Sequence, residues 1–161
     1  MTRELWLVRH GQTDWNRDRR LQGRKPVPLN QAGRQEATAL RSVLRDQSFV
    51  EAWSSPAARS VVTAELAYGE AIVDSRLDEF DFGDLEGMTW GELSSEVKEA
   101  LLEFDGYAAP GGESVVDFRH RIEDFVTGLP AGRHLIFTHG GVIRVLAGTT
   151  PDTGHHLVVA R

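Results

Sequence analysis

Apolar positions along this chain follow two rhythms. Short apolar runs bounded by turn residues read as buried strands: "ELWLV" at 4–8, ended by Gly11, and "RHLIFTHGG" at 133–141, with "FVEAWSS" at 49–55 as a further strand candidate. Residues 71–90 open as a short strand and become an acidic loop, and "HHLVVAR" at the end reads as an edge strand. Elsewhere apolar residues recur at helical spacing. In "NQAGRQEATALRSVLRDQ" they are Ala37, Leu40, Val43 and Leu44, with Asn30 as N-cap. "SPAARSVVTAELAYG" predicts a helix capped by Ser55, with Pro56 at its first position and Gly69 at its end. Residues 91–105 read as helical. Ser114 with Asp117 opens another helix, whose apolar face is Val115, Phe118, Ile122, Phe125, Val126 and Leu129. A short final helix is predicted from about Val142. Trp6 and Trp53 read as core, and Trp15 as core or pocket wall. "DRRLQGRKPVPLN" at 18–30 and "YAAPGGES" at 107–114 are loops.

This alternation of strands and helices predicts an α/β domain with a mainly parallel sheet. Ligands of such sheets sit beyond the carboxyl ends of the strands. Arg9 and His10, Ser54 to Arg59, and Thr138 to Gly140 all lie at such ends, so residues far apart in sequence are expected to share one crevice.

Composition narrows the function classes. The 161 residues are one domain by length, 40% apolar and 26% charged, without repeat or linker. Cysteine is absent, which removes disulfides and thiolate chemistry. The net charge of −6 argues against a nucleic-acid partner. The apolar run in "MTRELWLV" is too short for a signal peptide, and none elsewhere approaches the ~18 residues of a membrane span, so no membrane partner and a cytoplasmic location are expected.

If the strand ends converge, the crevice holds Arg9, His10, Asn16, Arg59, His139 and a carboxyl group from the acidic loop. Guanidinium forks match phosphate oxygens in pairs. Helix N-termini after Ser55 and His139 would add backbone donors. Arg59 falls in a first helical turn, where a cation opposes the helix dipole, and an anionic ligand is the better reason for it. A neutral imidazole can attack phosphorus, arginines can stabilise the equatorial oxygens, and a carboxylic acid can protonate the leaving alkoxide. Such a set requires neither metal nor cofactor, and the six histidines show no HExxH or similar ligand spacing. His120, His134, His155 and His156 take no catalytic role. Chemistry alone does not choose the acid among Asp78, Glu79, Asp81, Asp84 and Glu86.

The stretch "RHGQTDWN" resembles the signature of the histidine phosphatase superfamily, in the branch related to cofactor-dependent phosphoglycerate mutase. "LQGRKPVPLNQAGRQEA", "SSPAARSVVTAE", "RLDEFDFGDLEG", "PGGES" and "IFTHGGVIR" resemble its further motifs in order. The short length, with "PGGES" and "FTHGGVIR", is most similar to small α-ribazole-5′-phosphate phosphatases. The resemblance implies one three-layer α/β/α sandwich of phosphoglycerate mutase-like fold over residues 1–161, with a short C-terminal region. It implies that His10 accepts the phosphoryl group and that Arg9, Arg59 and His139 bind it, with Asn16 in contact. Glu79 matches the general acid, and Glu86 a second acidic position. Gln22, Gly23, Gly140 and Gly141 fall where substrate contacts are found.

Pro26 stands where relatives often carry an aspartate, a change in substrate contacts rather than in catalysis. The short region past His139 would leave the site open or favour a homodimer. The leading expectation is a metal-independent phosphomonoesterase acting on a small phosphorylated metabolite. A phosphoglycerate-type mutase is the alternative within the family, disfavoured by the lack of spare length for a water-excluding lid. A non-catalytic sensor of a phosphorylated ligand is the alternative outside it. A nucleotide-binding enzyme is disfavoured because neither GxxxxGK[ST] nor GxGxxG occurs. Selectivity is expected from Gln22–Leu29, Phe80–Trp90 and Tyr107–Glu113.

Overall fold

In the computed structural model, which describes residues 2–161, the first apolar run becomes strand β1 (Arg3–Arg9). The single turn α1 (Asp14–Arg17), helices α2 (Gln31–Ala39) and α3 (Arg41–Leu44), strand β2 (Glu51–Ser54) and helix α4 (Ala58–Ala67) follow. The two-residue strand β3 (Ile72–Val73) leads into a segment held by 3-10 turns at Ser75–Leu77, Gly83–Leu85 and Trp90–Glu92. Helices α5 (Ser95–Glu103) and α6 (Val115–Gly128), strand β4 (Gly132–Thr138), helix α7 (Gly140–Ala147) and strand β5 (His156–Ala160) complete the chain.

The strands form one sheet in the order β3-β2-β4-β1-β5. All neighbours are parallel except β5, which runs antiparallel along β1 as the expected edge strand. Side chains alternate across the sheet. Leu5, Leu7 and Ile136 pack with Phe118, Ile122 and Phe125 of α6 and Val142 and Ile143 of α7. Val8, Leu135 and Phe137 pack on the other face with Leu40, Leu44, Ala64 and Ala67, from the α2–α4 layer. Covering on both faces explains why the central strands β1 and β4 read as apolar runs. The result is the three-layer α/β/α sandwich.

Helix α6 follows its sequence pattern closely. The Ser114 hydroxyl accepts the Asp117 N–H at 3.1 Å, and Phe118, Ile122 and Phe125 are buried along one stripe. Each such side chain contributes roughly 1.5–3 kcal/mol on leaving water.

Other elements differ from the sequence pattern. The helix expected from Asn30 breaks at Leu40, which ends α2 and opens α3. The structure corrects the expected Ser55 cap and the place of Pro56. Helix α4 begins at Ala58 behind Ala57, without a side-chain cap among the described residues. Ser55 Oγ accepts the Ala57 N–H but donates to Asp78, a partner no local pattern reveals. His134 lies inside β4, buried, with Nε2 3.0 Å from the Pro130 carbonyl. Trp6 is half-buried, because its indole N–H reaches Glu4 at 2.8 Å near the surface.

Register then sets the site. Arg9 pairs with Thr138, so His10 and His139 leave adjacent parallel strands side by side. Ser54 pairs with Phe137, which brings Ser55 to the same edge, its N–H on the Phe137 carbonyl at 3.0 Å.

Candidate active site

The two histidine rings meet at the carboxyl edge with centroids 5.2 Å apart and planes at 66°. His10 Nδ1 lies 2.7 Å from the Gly11 carbonyl. A carbonyl only accepts, so Nδ1 carries the proton and the lone pair of the neutral ring sits on Nε2. Burial, then the nearby Arg59 charge, pushes the His10 pKa down to about 3, with the Gly11 carbonyl acting in the opposite direction. His10 is therefore a neutral imidazole near neutrality, with a defined nucleophilic nitrogen.

Gly11 allows this placement. A Cβ there would lie 2.3 Å from the Gly33 carbonyl oxygen, so the chain leaving β1 passes directly against α2. The Gly11 N–H is held by Thr63 Oγ1 at 3.0 Å, and Thr63 in turn donates to the Arg59 carbonyl. The nucleophile's loop is thereby tied to the helix that carries Arg59.

Both arginines are bound on one side and open on the other. Arg9 donates one Nη to the Pro151 carbonyl at 2.9 Å. Arg59 donates to the Lys25 and Gly23 carbonyls at 3.0 and 2.7 Å. The Nε of each is buried without a partner among the described residues. Burial lowers the pKa of both guanidinia, and the Glu79 charge opposes that in each case. One buried and one half-buried cation, each with an unused Nε donor, beside a neutral imidazole are suited to a multivalent oxyanion.

Two amides share the floor. The Asn16 carbonyl oxygen accepts the Thr13 N–H at 2.9 Å, and Thr13 Oγ1 lies 3.0 Å from that oxygen and 2.9 Å from Gln22 Oε1. The Thr13 N–H fixes the Asn16 oxygen and leaves the Asn16 NH2 to offer, while the single Thr13 hydroxyl proton serves either Asn16 or Gln22. Glu79 is fixed from two directions. Its carboxylate oxygens accept the Phe80 N–H at 2.8 Å and the Gly141 N–H at 3.1 Å. A Cβ on Gly141 would lie 2.2 Å from a Glu79 oxygen, which explains the second glycine of "HGG". The expected helix-terminus donors thus have other occupants. Gly141 at the start of α7 serves Glu79, and α4 starts beyond Ser55.

These groups line one cavity of about 300 Å3. Arg9, His10, Asn16, Gln22 and Gly23 lie on its wall, with Arg59, Glu79, Gly140 and Gly141. Glu86 stands off it, and His139 is placed by its contact with the His10 ring rather than by the wall. His139 is fully buried beside His10, and burial, then Arg59, holds its pKa well below the usual imidazole range. Glu86 packs behind the Gly23 turn, where it accepts the Arg24 N–H at 2.7 Å and burial raises its pKa. Trp15 packs against Gly87 rather than lining the cavity.

The outer wall holds residues that sequence reasoning passed over: Arg20, Leu21, Leu101, Leu102, Phe104, Arg144 and Thr150 join Phe80, Phe82 and Trp90. One signal was present. Leu101 and Leu102 are neighbours in a helix and cannot both face the core; Leu101 is buried and Leu102 is 65% exposed. The loop Tyr107–Glu113 does not line the cavity. Among the described residues there is no cluster of His, Cys, Asp and Glu able to hold a metal, and no helix long and apolar enough to cross a membrane.

The family model of the histidine phosphatase superfamily, branch 1, matches residues 5–156. The chain belongs to the histidine phosphatase superfamily. Phosphoglycerate mutase-like protein 4 of Arabidopsis thaliana is 34% identical over 161 residues, covering 89% of this chain and 69% of its own. The crystal structure of phosphoglycerate mutase from Thermus thermophilus superposes with a TM-score of 0.92 at 42% identity, covering 97% of this chain and 92% of that one. A candidate α-ribazole-5′-P phosphatase from Escherichia coli gives a TM-score of 0.84 at 26% identity, over 98% and 89% of the two chains. The fold of this superfamily member is thus phosphoglycerate mutase-like.

Proposed function

We propose that this histidine phosphatase superfamily member is a metal-independent phosphomonoesterase acting through a phosphohistidine at His10. One observation carries the reading: the neutral His10 ring, with its lone pair on Nε2, shares a cavity with two guanidinia whose Nε donors are buried and unused.

His10 Nε2 attacks phosphorus, the N–P bond forms and the ester P–O bond breaks. Arg9, Arg59, His139 and the Asn16 amide hold the equatorial oxygens, where charge is greatest in the transition state. Glu79 in its acid form gives its proton to the departing alkoxide. As carboxylate it then takes a proton from a water that attacks phosphorus, the N–P bond breaks, and phosphate leaves a neutral His10. Gln22, Gly23, Gly140 and Gly141 border the substrate, and Glu86 supports the Gly23 turn from behind.

The apolar outer wall supports an alcohol with a flat apolar body. Phe80, Phe82, Trp90, Leu101 and Leu102 are there, and Arg144 has given two N–H groups to the Leu101 and Leu102 carbonyls. α-Ribazole 5′-phosphate has such a body and is the substrate we favour over 3-phosphoglycerate. The mutase relatives keep phosphoryl transfer between two positions of a phosphoglycerate as the second reading.

The test is phosphate release in EDTA from α-ribazole 5′-phosphate, 3-phosphoglycerate, fructose bisphosphates, phosphoserine and nitrophenyl phosphate, with wild type beside His10→Ala. Release by the wild type alone is expected, with α-ribazole 5′-phosphate highest in kcat/KM. Equal release by His10→Ala, or loss of wild-type activity in EDTA, would overturn the mechanism.

A further inference from the structure

Ser55, read from sequence as a helix cap, joins His139 to an acid. His139 Nε2 lies 2.8 Å from Ser55 Oγ, and Ser55 Oγ lies 2.9 Å from Asp78 Oδ1. A hydroxyl has one proton. If it went to His139, two oxygens bearing only lone pairs would face each other at 2.9 Å across Ser55 and Asp78. The carboxylate is also the stronger acceptor. The Ser55 proton therefore goes to Asp78, and Ser55 Oγ is left to accept from the Ala57 N–H and from His139. Neutral His139 is then the Nε2–H form, opposite to His10, with a bare lone pair on Nδ1. That Nδ1 is buried and has no partner among the described residues.

A lone pair beside a phosphoryl oxygen is repulsive unless a proton lies between them. We propose that Ser55 and Asp78 are positioning residues that fix His139 as its Nε2–H form, so that Nδ1 takes up a proton when a phosphoryl group binds at His10. This rests on the reading of the cavity as a phosphoryl site. The proton comes from solvent or from the phosphate monoanion, and the bound pair contains the same atoms either way.

The surrounding charges explain why the uptake waits for the ligand. Arg59 on α4, His10 beyond β1, Arg121 on α6 and Arg24 in the loop all disfavour a charged His139, as does burial. Asp78, through Ser55, lies on the favouring side, shared with Arg24 Nη1 at 3.3 Å. Glu79 is occupied by the Phe80 and Gly141 N–H groups. A bound phosphate dianion adds the negative charge that tips this balance.

Nitrogen-15 NMR of the histidine-labelled full chain reads both ring nitrogens directly. Inorganic phosphate serves as the probe, at a pH where it is largely the dianion. In the free protein His139 is expected as Nε2–H and His10 as Nδ1–H; with phosphate, His139 is expected to carry protons on both nitrogens. Calorimetry in buffers of different ionisation enthalpy should then record proton uptake. Ser55→Ala should lose both the fixed tautomer and the uptake, and Ser55→Thr should restore them. Asp78→Asn, which keeps an acceptor but removes the charge, should retain the tautomer and weaken phosphate about tenfold, the size of one charge-assisted hydrogen bond. An Nδ1–H His139 in the free protein, or unchanged uptake in Ser55→Ala, would overturn the proposal. A phosphate-shifted His10 beside an unaltered His139 would also overturn it. Phosphate that perturbs neither ring would overturn the phosphoryl-site reading, and the uptake with it.

Discussion

At the scale of single residues, the chemistry depends on which atom carries each proton. One carbonyl, that of Gly11, decides that His10 presents Nε2. Two backbone N–H groups, from Phe80 and Gly141, set where the Glu79 carboxyl sits. A general acid matters in proportion to the basicity of the leaving group. Glu79→Gln is therefore expected to slow an alkyl phosphate by about 10²–10⁴-fold, while nitrophenyl phosphate, whose leaving group departs without a proton, falls much less. Steady-state kcat for the two substrates checks this. An equal loss on both would remove Glu79 from the role of acid.

At the scale of elements, the site depends on close approaches between segments that are distant in sequence. The end of β1 touches α2 at Gly11 and Gly33, without room for a side chain on either. Thr63 then links the Gly11 N–H to the Arg59 carbonyl in the first turn of α4. Gly11→Ala would push a methyl group into the Gly33 carbonyl, a backbone atom that cannot swing aside. The expected cost is about 3 kcal/mol of stability, read from urea unfolding, together with a fall in kcat/KM as His10 shifts. A variant as stable as wild type would show that α2 yields easily, and that the nucleophile's loop is less fixed than these contacts imply.

At the scale of the whole molecule, two buried neutral histidines link stability to pH. The folded His10 pKa of about 3 lies below the ordinary value of 6.5. Between these values the unfolded chain binds more protons than the folded one. Stability is therefore complete above about 6.5 and falls as the pH drops toward about 3. His139, shifted in the same direction, adds to the effect. Each group contributes a slope of about 1.4 kcal/mol per pH unit inside its window. Denaturant unfolding across that range is expected to show the slope, and His10→Ala should reduce it by one group. An unchanged slope in that variant would mean that His10 is already charged in the folded protein.

Much of this was legible in the chain itself. The apolar runs marked the strands because a strand covered on both faces must be apolar throughout. The α6 stripe from Val115 to Leu129 was legible because helix amphipathicity and capping are local. Arg9, His10 and His139 were legible because they follow buried strands directly, and strand ends of a parallel sheet share one edge. Glu79 was separable from its acidic neighbours only through resemblance, since chemistry treats the carboxylates of that loop alike. What tertiary structure alone decided is the partner of each group. Ser55 looked like a cap until β2 and β4 came into register and placed it between His139 and Asp78. Glu86 matched a second acidic position of the site, but the Gly23 turn closes in front of it. The outer wall is assembled from the segment of Arg20 and Leu21, the loop of Phe80, Phe82 and Trp90, the end of α5 and Arg144 of α7, which only packing brings together. Periodicity reports which way a side chain faces along its own element. Which group from elsewhere in the chain meets it there is set by strand register and helix docking, and these are properties of the folded whole.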